Sequence, residues 1–194
     1  KGVNFPETDL QLPPLSQKDE LDLEFVARHA DLVALSFVED SSDIKTLNRR
    51  LKELGRENLP IIAKIETRNG VKNLSRILLD WMERQPFGVM IARGDLAIEL
   101  GSVRMAELQE DILWLCEAAQ TPVIWATQVL ENLTKNGTVS RPEISDAAMS
   151  VHAECVMLNK GAYLPEAVKV LDTILSTLEP RHAKKHQLLK PWTL

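Results

Sequence analysis

The 194 residues read as an α/β chain, a parallel sheet flanked by helices, and three observations predict it. Apolar runs rich in β-branched residues recur with centres about every 30 residues, the length of a βα unit. These runs are apolar at consecutive positions, as strands covered on both faces are. Between them lie stretches with apolar residues three and four apart, which form one stripe per helix.

Taken in order, Ser16-Gln17-Lys18-Asp19 has the form of a helix N-cap with an acid at the third position, followed by Leu21, Leu23 and Phe25. A helix is therefore predicted before the first strand, Leu32-Val33-Ala34-Leu35-Ser36-Phe37. Ile44, Leu47, Leu51 and Leu54 predict a helix that stops at Gly55, and Ile61-Ile62-Ala63-Lys64-Ile65 the second strand. Val71, Leu74 and Leu78 predict the next helix, and Phe87-Gly88-Val89-Met90-Ile91-Ala92 the third strand. Leu108, Ile112, Leu115 and Ala119 then lead into Pro122-Val123-Ile124-Trp125-Ala126. Ile144, Ala147 and Ala148 precede Glu154-Cys155-Val156-Met157-Leu158, and Val168, Leu171, Ile174, Leu175 and Leu178 mark the last helix. About five parallel strands are too few to close an eight-stranded barrel, which takes about 250 residues. Either the sheet is open or strands lie outside the sequence, and a chain beginning Lys1-Gly2 reads as a piece of something longer or a processed product. One domain is expected over 1–180, with 181–194 a basic C-terminal tail.

Charge and composition exclude several function classes. With 23 basic and 28 acidic residues the net charge is −5, so neither nucleic acid nor an anionic membrane gains electrostatic support as a partner. The longest apolar run, 32–38, is strand-sized, well short of the roughly 18 to 20 residues of a membrane helix. Cys116 and Cys155 lie in apolar segments without C-x-x-C or His pairing, and no signal peptide is expected. They read as reduced, buried thiols of a cytoplasmic protein. His29, His152, His182 and His186 lack metal spacing, and Trp81, Trp114, Trp125 and Trp192 are assigned to packing.

In parallel sheets, binding groups collect beyond the carboxyl ends of the strands. The second strand ends Lys64-Ile65-Glu66, and its alternation puts Lys64 and Glu66 on one face. That pairing serves either a structural ion pair or a site, and burying charge without a task is expensive. The third strand runs into Arg93-Gly94-Asp95, where Gly94 allows a sharp turn that presents backbone amides and Asp95 offers a hard oxygen. Glu66 and Asp95, from adjacent strands, are metal candidates for Mg²⁺, whose octahedron substrate oxygens and water complete. Thr127 follows the fourth strand, as a helix N-cap or as a hydroxyl for a substrate oxygen. Ser36-Phe37 ends the first strand in the same way, and Phe37 is expected in the core unless it packs against the Lys64 stem.

These residues resemble the pyruvate kinase family. Lys64-Ile65-Glu66, Ala92-Arg93-Gly94-Asp95-Leu96-Ala97-Ile98-Glu99 and Ala126-Thr127-Gln128-Val129-Leu130-Glu131 are similar to its active-site strands. Lys1-Gly2-Val3-Asn4-Phe5-Pro6, Arg141-Pro142-Glu143-Ile144-Ser145-Asp146 and Pro165-Glu166-Ala167-Val168 resemble flanking segments, in order. The resemblance implies part of a (β/α)8 TIM barrel and a glycolytic phosphotransferase converting phosphoenolpyruvate and ADP to pyruvate and ATP. It implies that Lys64 stabilises charge on the phosphoryl and the enolate, and that Glu66 and Asp95 ligate Mg²⁺, for which Mn²⁺ substitutes. It further implies that Gly94 and Asp95 amides hold the substrate carboxylate and that Thr127 contacts the substrate. The family's opening strands, its K⁺ site and its lid have no counterpart here, and residues 157–161 omit about four family residues before Lys160-Gly161. The chain is thus expected to carry the Mg-enolate half of the site, to be inactive alone, and to self-associate or pair with the missing barrel half. A metal-dependent oxo-acid lyase or aldolase of the same superfamily, or a non-catalytic relative, is the alternative.

Overall fold

The structure is a computed structural model that describes residues 12–182. The Lys1 to Pro6 resemblance, His186, Trp192 and most of the basic tail lie outside those residues. By its internal contacts the chain divides into two compact units, meeting in sequence at Ala126 and Thr127.

In the first unit the first three helices start where their capping chemistry dictates. Ser16 Oγ accepts the Asp19 N–H and the Asp19 carboxylate accepts the Ser16 N–H, a reciprocal box that opens α1 (Gln17–His29). Asp40 and Asp43 do the same for α2 (Ser41–Glu53), and the Thr67 hydroxyl accepts the Gly70 N–H at the start of α3 (Arg68–Trp81). The strands between them are β1 (Val33–Leu35), β2 (Ile61–Ile65), β3 (Phe87–Ala92) and β4 (Val123–Ala126). They pair in parallel in the order β1-β2-β3-β4, with Val33 opposite Ile61, Ala63 opposite Val89 and Ile91 opposite Trp125. Two helices, α4 (Arg93–Leu100) and α5 (Ser102–Ala118), join β3 to β4.

This register sorts the side chains. Ala63, Ile65, Val89, Ile91 and Trp125 share one fully buried face, with Ile44, Leu47, Leu51, Leu74, Ile77 and Ile112 of the helices also in the core. Ile62, Lys64 and Met90 take the other face, where Lys64 stands opposite Met90. Gly88 is opposite Ile62, and a Cβ there would lie 2.8 Å from Ile62 Cδ1, so a side chain at 88 would have to push the Ile62 tip aside.

The second unit holds α6 (Glu131–Asn136), α7 (Arg141–Met149), a 3-10 turn (Ser150–His152), the short strand β5 (Cys155–Val156) and α8 (Leu164–His182). Together with the βα alternation of the first unit this makes the chain an α/β protein of the predicted class, consistent with part of a barrel.

Several details depart from the sequence reading. β1 stops at Leu35 because Phe37 adopts a left-handed φ of 54°, which no strand accommodates, and the Phe37 ring is exposed rather than in the core. The loop expected after β3 is helical from Arg93, so Gly94 stands in the first turn of α4. In α5 the buried stripe runs through Met105, Leu108, Ile112 and Cys116, while Leu115 and Trp114 face outward. Cys116 is buried as expected, but Cys155 is exposed, because β5 is two residues long and leaves that side uncovered. On α1, Leu23 is buried while Leu21 and Phe25 are exposed, with the Phe25 ring tilted against His29 at 4.4 Å between centroids.

Candidate active site

The carboxyl end of β2 gathers Lys64, Phe37 and Ser36 about Glu66, the first two on its carboxylate and the third on the Lys64 ammonium. Lys64 and Glu66 lie two apart in an extended segment, so both side chains leave the same face, and Lys64 Nζ stands 2.9 Å from Glu66 Oε1. The burial is unequal: the Glu66 side chain is 2% exposed and that of Lys64 24%. Ser36 Oγ lies 2.8 Å from the same ammonium as its acceptor, and the Phe37 N–H donates to Glu66 Oε2 at 2.6 Å. Both Glu66 oxygens thus have a partner, which offsets the cost of burying the charge.

Ser36 and Phe37 follow directly from the chain path. Val38 donates its N–H to Lys64 O at 3.2 Å, which extends the β1–β2 pairing beyond the strand and holds residues 36 and 37 over the end of β2. The sequence pattern puts Ser36 and Phe37 at the strand end and Phe37 in the core, so neither is among the predicted site residues. The signal is backbone geometry, a left-handed residue just past the strand end, and side-chain pattern does not carry it.

Gly94 and Asp95 occupy the first turn of α4, directly after β3. A helix start directs its amides outward as donors with no acceptor inside the helix, and Ala92, the cap, contributes no side-chain bond. Asp95 is half-buried. Two residues before it, the buried Arg93 donates from Nε to Ala126 O at 3.2 Å and lays its guanidinium 4.5 Å from the Trp125 ring. This ties the ends of β3 and β4 together.

Thr127 opens the second unit in a run of left-handed residues, with φ of 65° at Thr127, 57° at Gln128 and 47° at Leu130. A β-branched residue at positive φ is strained, and such strain collects at functional sites. The helix-cap role for Thr127 is not observed, since Leu130 caps α6.

A divalent cation fits the donor chemistry of the first unit. Glu66 is a buried carboxylate already facing one cation, and Asp95 adds a hard oxygen acceptor. Among the described residues no three His, Cys, Asp or Glu cluster as a closed metal cage. One or two carboxylates with water and substrate oxygens are what Mg²⁺ usually takes.

Comparison with known proteins agrees with these motifs. The family described as pyruvate kinase, barrel domain, matches residues 1–168. A pyruvate kinase of Hypocrea jecorina is 43% identical over 175 residues, which is 87% of this chain and 31% of that protein. A pyruvate kinase of Debaryomyces hansenii is 41% identical over 178 residues, 88% of this chain and 34% of its own length. Pyruvate kinase 2 of Saccharomyces cerevisiae is 40% identical over 178 residues, with the same shares of 88% and 34%. The chain spans about a third of the length of these relatives. On its motifs, its barrel-type strands and these matches, the chain belongs to the pyruvate kinase family, within the family's barrel domain.

Proposed function

We propose that this chain carries the metal-and-enolate half of a pyruvate kinase site, in a phosphotransferase that takes phosphoenolpyruvate and ADP to pyruvate and ATP. The observation that carries the reading is the Glu66 carboxylate, 2% exposed at the carboxyl end of β2 and paired with Lys64. Burying such a pair costs stability, and a strand end is where barrel chemistry is done.

Glu66 and Asp95 would hold Mg²⁺, or Mn²⁺ in its place. Bound there, the cation would supply Lewis-acid stabilisation of enolate and phosphoryl oxygens. The Gly94 and Asp95 amides at the start of α4 receive the substrate carboxylate, and Lys64 brings its ammonium to charge that grows in the transition state. Thr127 contacts the substrate through its hydroxyl. The nucleotide side and the K⁺ site belong to strands outside this sequence, so the isolated chain is expected to be inactive and to pair with the missing barrel half or with itself. The reading places the protein in glycolysis and in the cytoplasm. No helix among the described residues is long and apolar enough to cross a membrane.

The test is calorimetric titration of oxalate, an enolate mimic, into the chain with and without Mg²⁺, repeated on Glu66→Gln and Asp95→Asn. Metal-dependent binding abolished in both variants supports the reading. Binding that ignores Mg²⁺, or survives both substitutions, overturns it.

A further inference from the structure

Glu66 is held from two sides by groups of different kinds. On Oε2 the donor is the Phe37 backbone amide, 2.6 Å away, and a backbone donor cannot swing aside without moving the chain. On Oε1 it is the Lys64 ammonium, 2.9 Å away, on a flexible stem whose side chain is 24% exposed. The same ammonium already has a second oxygen partner, Ser36 Oγ at 2.8 Å.

Phe37 adopts an unfavourable conformation. Its φ is 54°, a left-handed value that a bulky side chain resists, and its ring is 54% exposed, so packing of the ring does not account for it. One residue later Val38 donates to Lys64 O at 3.2 Å, one residue out of the β1–β2 register in which Val33 donates to Pro60 O, so the left-handed turn takes up an extra residue. What the left-handed turn achieves is the direction of one N–H onto Glu66 Oε2.

Resting on the metal reading above, we propose that Phe37 is a positioning residue. Its amide keeps Oε2 of Glu66, so that the carboxylate meets a divalent cation through Oε1 alone, and Lys64 occupies Oε1 until the cation takes it. The displaced ammonium keeps Ser36 Oγ as its partner. Loading of the metal and release of the lysine are then one event, which ties the presence of a mobile ammonium at the site to the presence of the cation.

Two measurements on the full chain test this without reference to turnover. In the first, Mn²⁺ affinity is compared for wild type, Glu66→Gln and Lys64→Gln, the last keeping a hydrogen-bond donor so that the fold is retained. Glu66→Gln should lose binding, while Lys64→Gln, freed of the competing charge, should bind about tenfold tighter. In the second, NMR of the wild-type chain is followed through a Mg²⁺ titration. The Phe37 amide should stay protected from exchange throughout, while the Lys64 Cε and Nζ resonances move. A Phe37 amide that loses protection at saturating Mg²⁺ would mean both oxygens turn to the metal, and the proposal fails. Lys64→Gln binding equal to or weaker than wild type, with Glu66→Gln still inactive in binding, also overturns it but leaves the metal reading intact. Equal Mn²⁺ affinity in wild type and Glu66→Gln removes the metal reading itself, and the proposal with it.

Discussion

Lys64 and Glu66 form an ion pair of 2.9 Å whose two members are buried to different degrees, the carboxylate almost fully and the ammonium about three-quarters. The asymmetry decides what each substitution does to stability. Lys64→Met leaves a buried carboxylate with the Phe37 amide as partner, and should cost about 2 to 3 kcal/mol, since breaking a buried pair from one side strands the other charge. Adding Glu66→Leu removes the stranded charge, so the double variant should recover more than half of that loss. Urea denaturation of wild type, both single variants and the double variant checks it. A double variant less stable than Lys64→Met would show the charge was not the cause.

Glycine sets a close contact in the second unit as well. An ideal Cβ on Gly161 would lie 2.1 Å from Thr134 O, a backbone atom that also accepts the Tyr163 N–H at 3.0 Å. Gly88, by contrast, faces the tip of the Ile62 side chain, which can rotate. Gly161→Ala should therefore cost about 3 kcal/mol or more, and Gly88→Ala about 1 to 2 kcal/mol, as overpacking against backbone exceeds overpacking against a side-chain end. Thermal melts of the two variants should rank in that order.

Much of this was legible in the sequence. β2 and β3 begin and end at the predicted residues, because long β-branched runs bounded by Pro60 and Pro86 admit little else. The capping box at Ser16 and Asp19 was equally plain, since it is local chemistry. Lys64 and Glu66 were expected on one face from period-two alternation, and their ion pair agrees. What escaped was set by backbone conformation or tertiary cover. Phe37 looks like core until its φ of 54° turns the ring out and the amide in. Arg93-Gly94-Asp95 looks like a turn, yet it folds as the first turn of α4, where Gly94 is tolerated at the helix end. Cys155 follows an apolar pattern, but a two-residue strand does not bury it.

Glu143 should make the second unit sensitive to acid. Burial raises its pKa, but the N–H groups of Asn132 and Ser140 and the Ser140 hydroxyl outweigh this and hold the carboxyl below its ordinary value of 4.5. A group with a depressed folded pKa stabilises the fold above its unfolded pKa and loses that contribution as pH falls through the folded one. The contribution should thus be complete above about pH 4.5 and fade below it. Glu143→Gln should lower stability at pH 7 and flatten the loss between pH 5 and pH 3, read by urea midpoints on an approximate one-unit pH grid. An unchanged acid slope in the variant would assign the sensitivity elsewhere.

At the edge of the sheet, β1 pairs with β2 alone among the described residues, and Ala34 on it is exposed. On α1 the exposed Leu21 and Phe25 add apolar surface in the same unit. An unpaired parallel edge recruits another strand. Sedimentation velocity of the isolated 194-residue chain should show a weight-average mass that rises with concentration. A single monomer boundary across the whole range would be incompatible with this expectation.

Arg93 offers the sharpest test of how the ends of β3 and β4 are joined. Its side chain is buried, donates from Nε to Ala126 O at 3.2 Å and lies 4.5 Å from the Trp125 ring, so a hydrogen bond and a cation–π contact couple the two strand ends. Arg93→Ala removes both and opens a cavity, and should cost about 3 kcal/mol. Arg93→Lys should not restore stability, because a lysine has neither the planar face nor a donor at the Nε position. The Trp125 indole N–H is buried without a hydrogen-bond partner among the described residues, so Trp125→Phe relieves one unfavourable term while weakening the ring's hold on the guanidinium. Combining Trp125→Phe with Arg93→Ala should therefore show a coupling of about 0.5 to 1 kcal/mol in a double-mutant cycle. Additive losses, or full rescue by Arg93→Lys, would mean that the guanidinium's position over Trp125 contributes nothing to holding the two strand ends together.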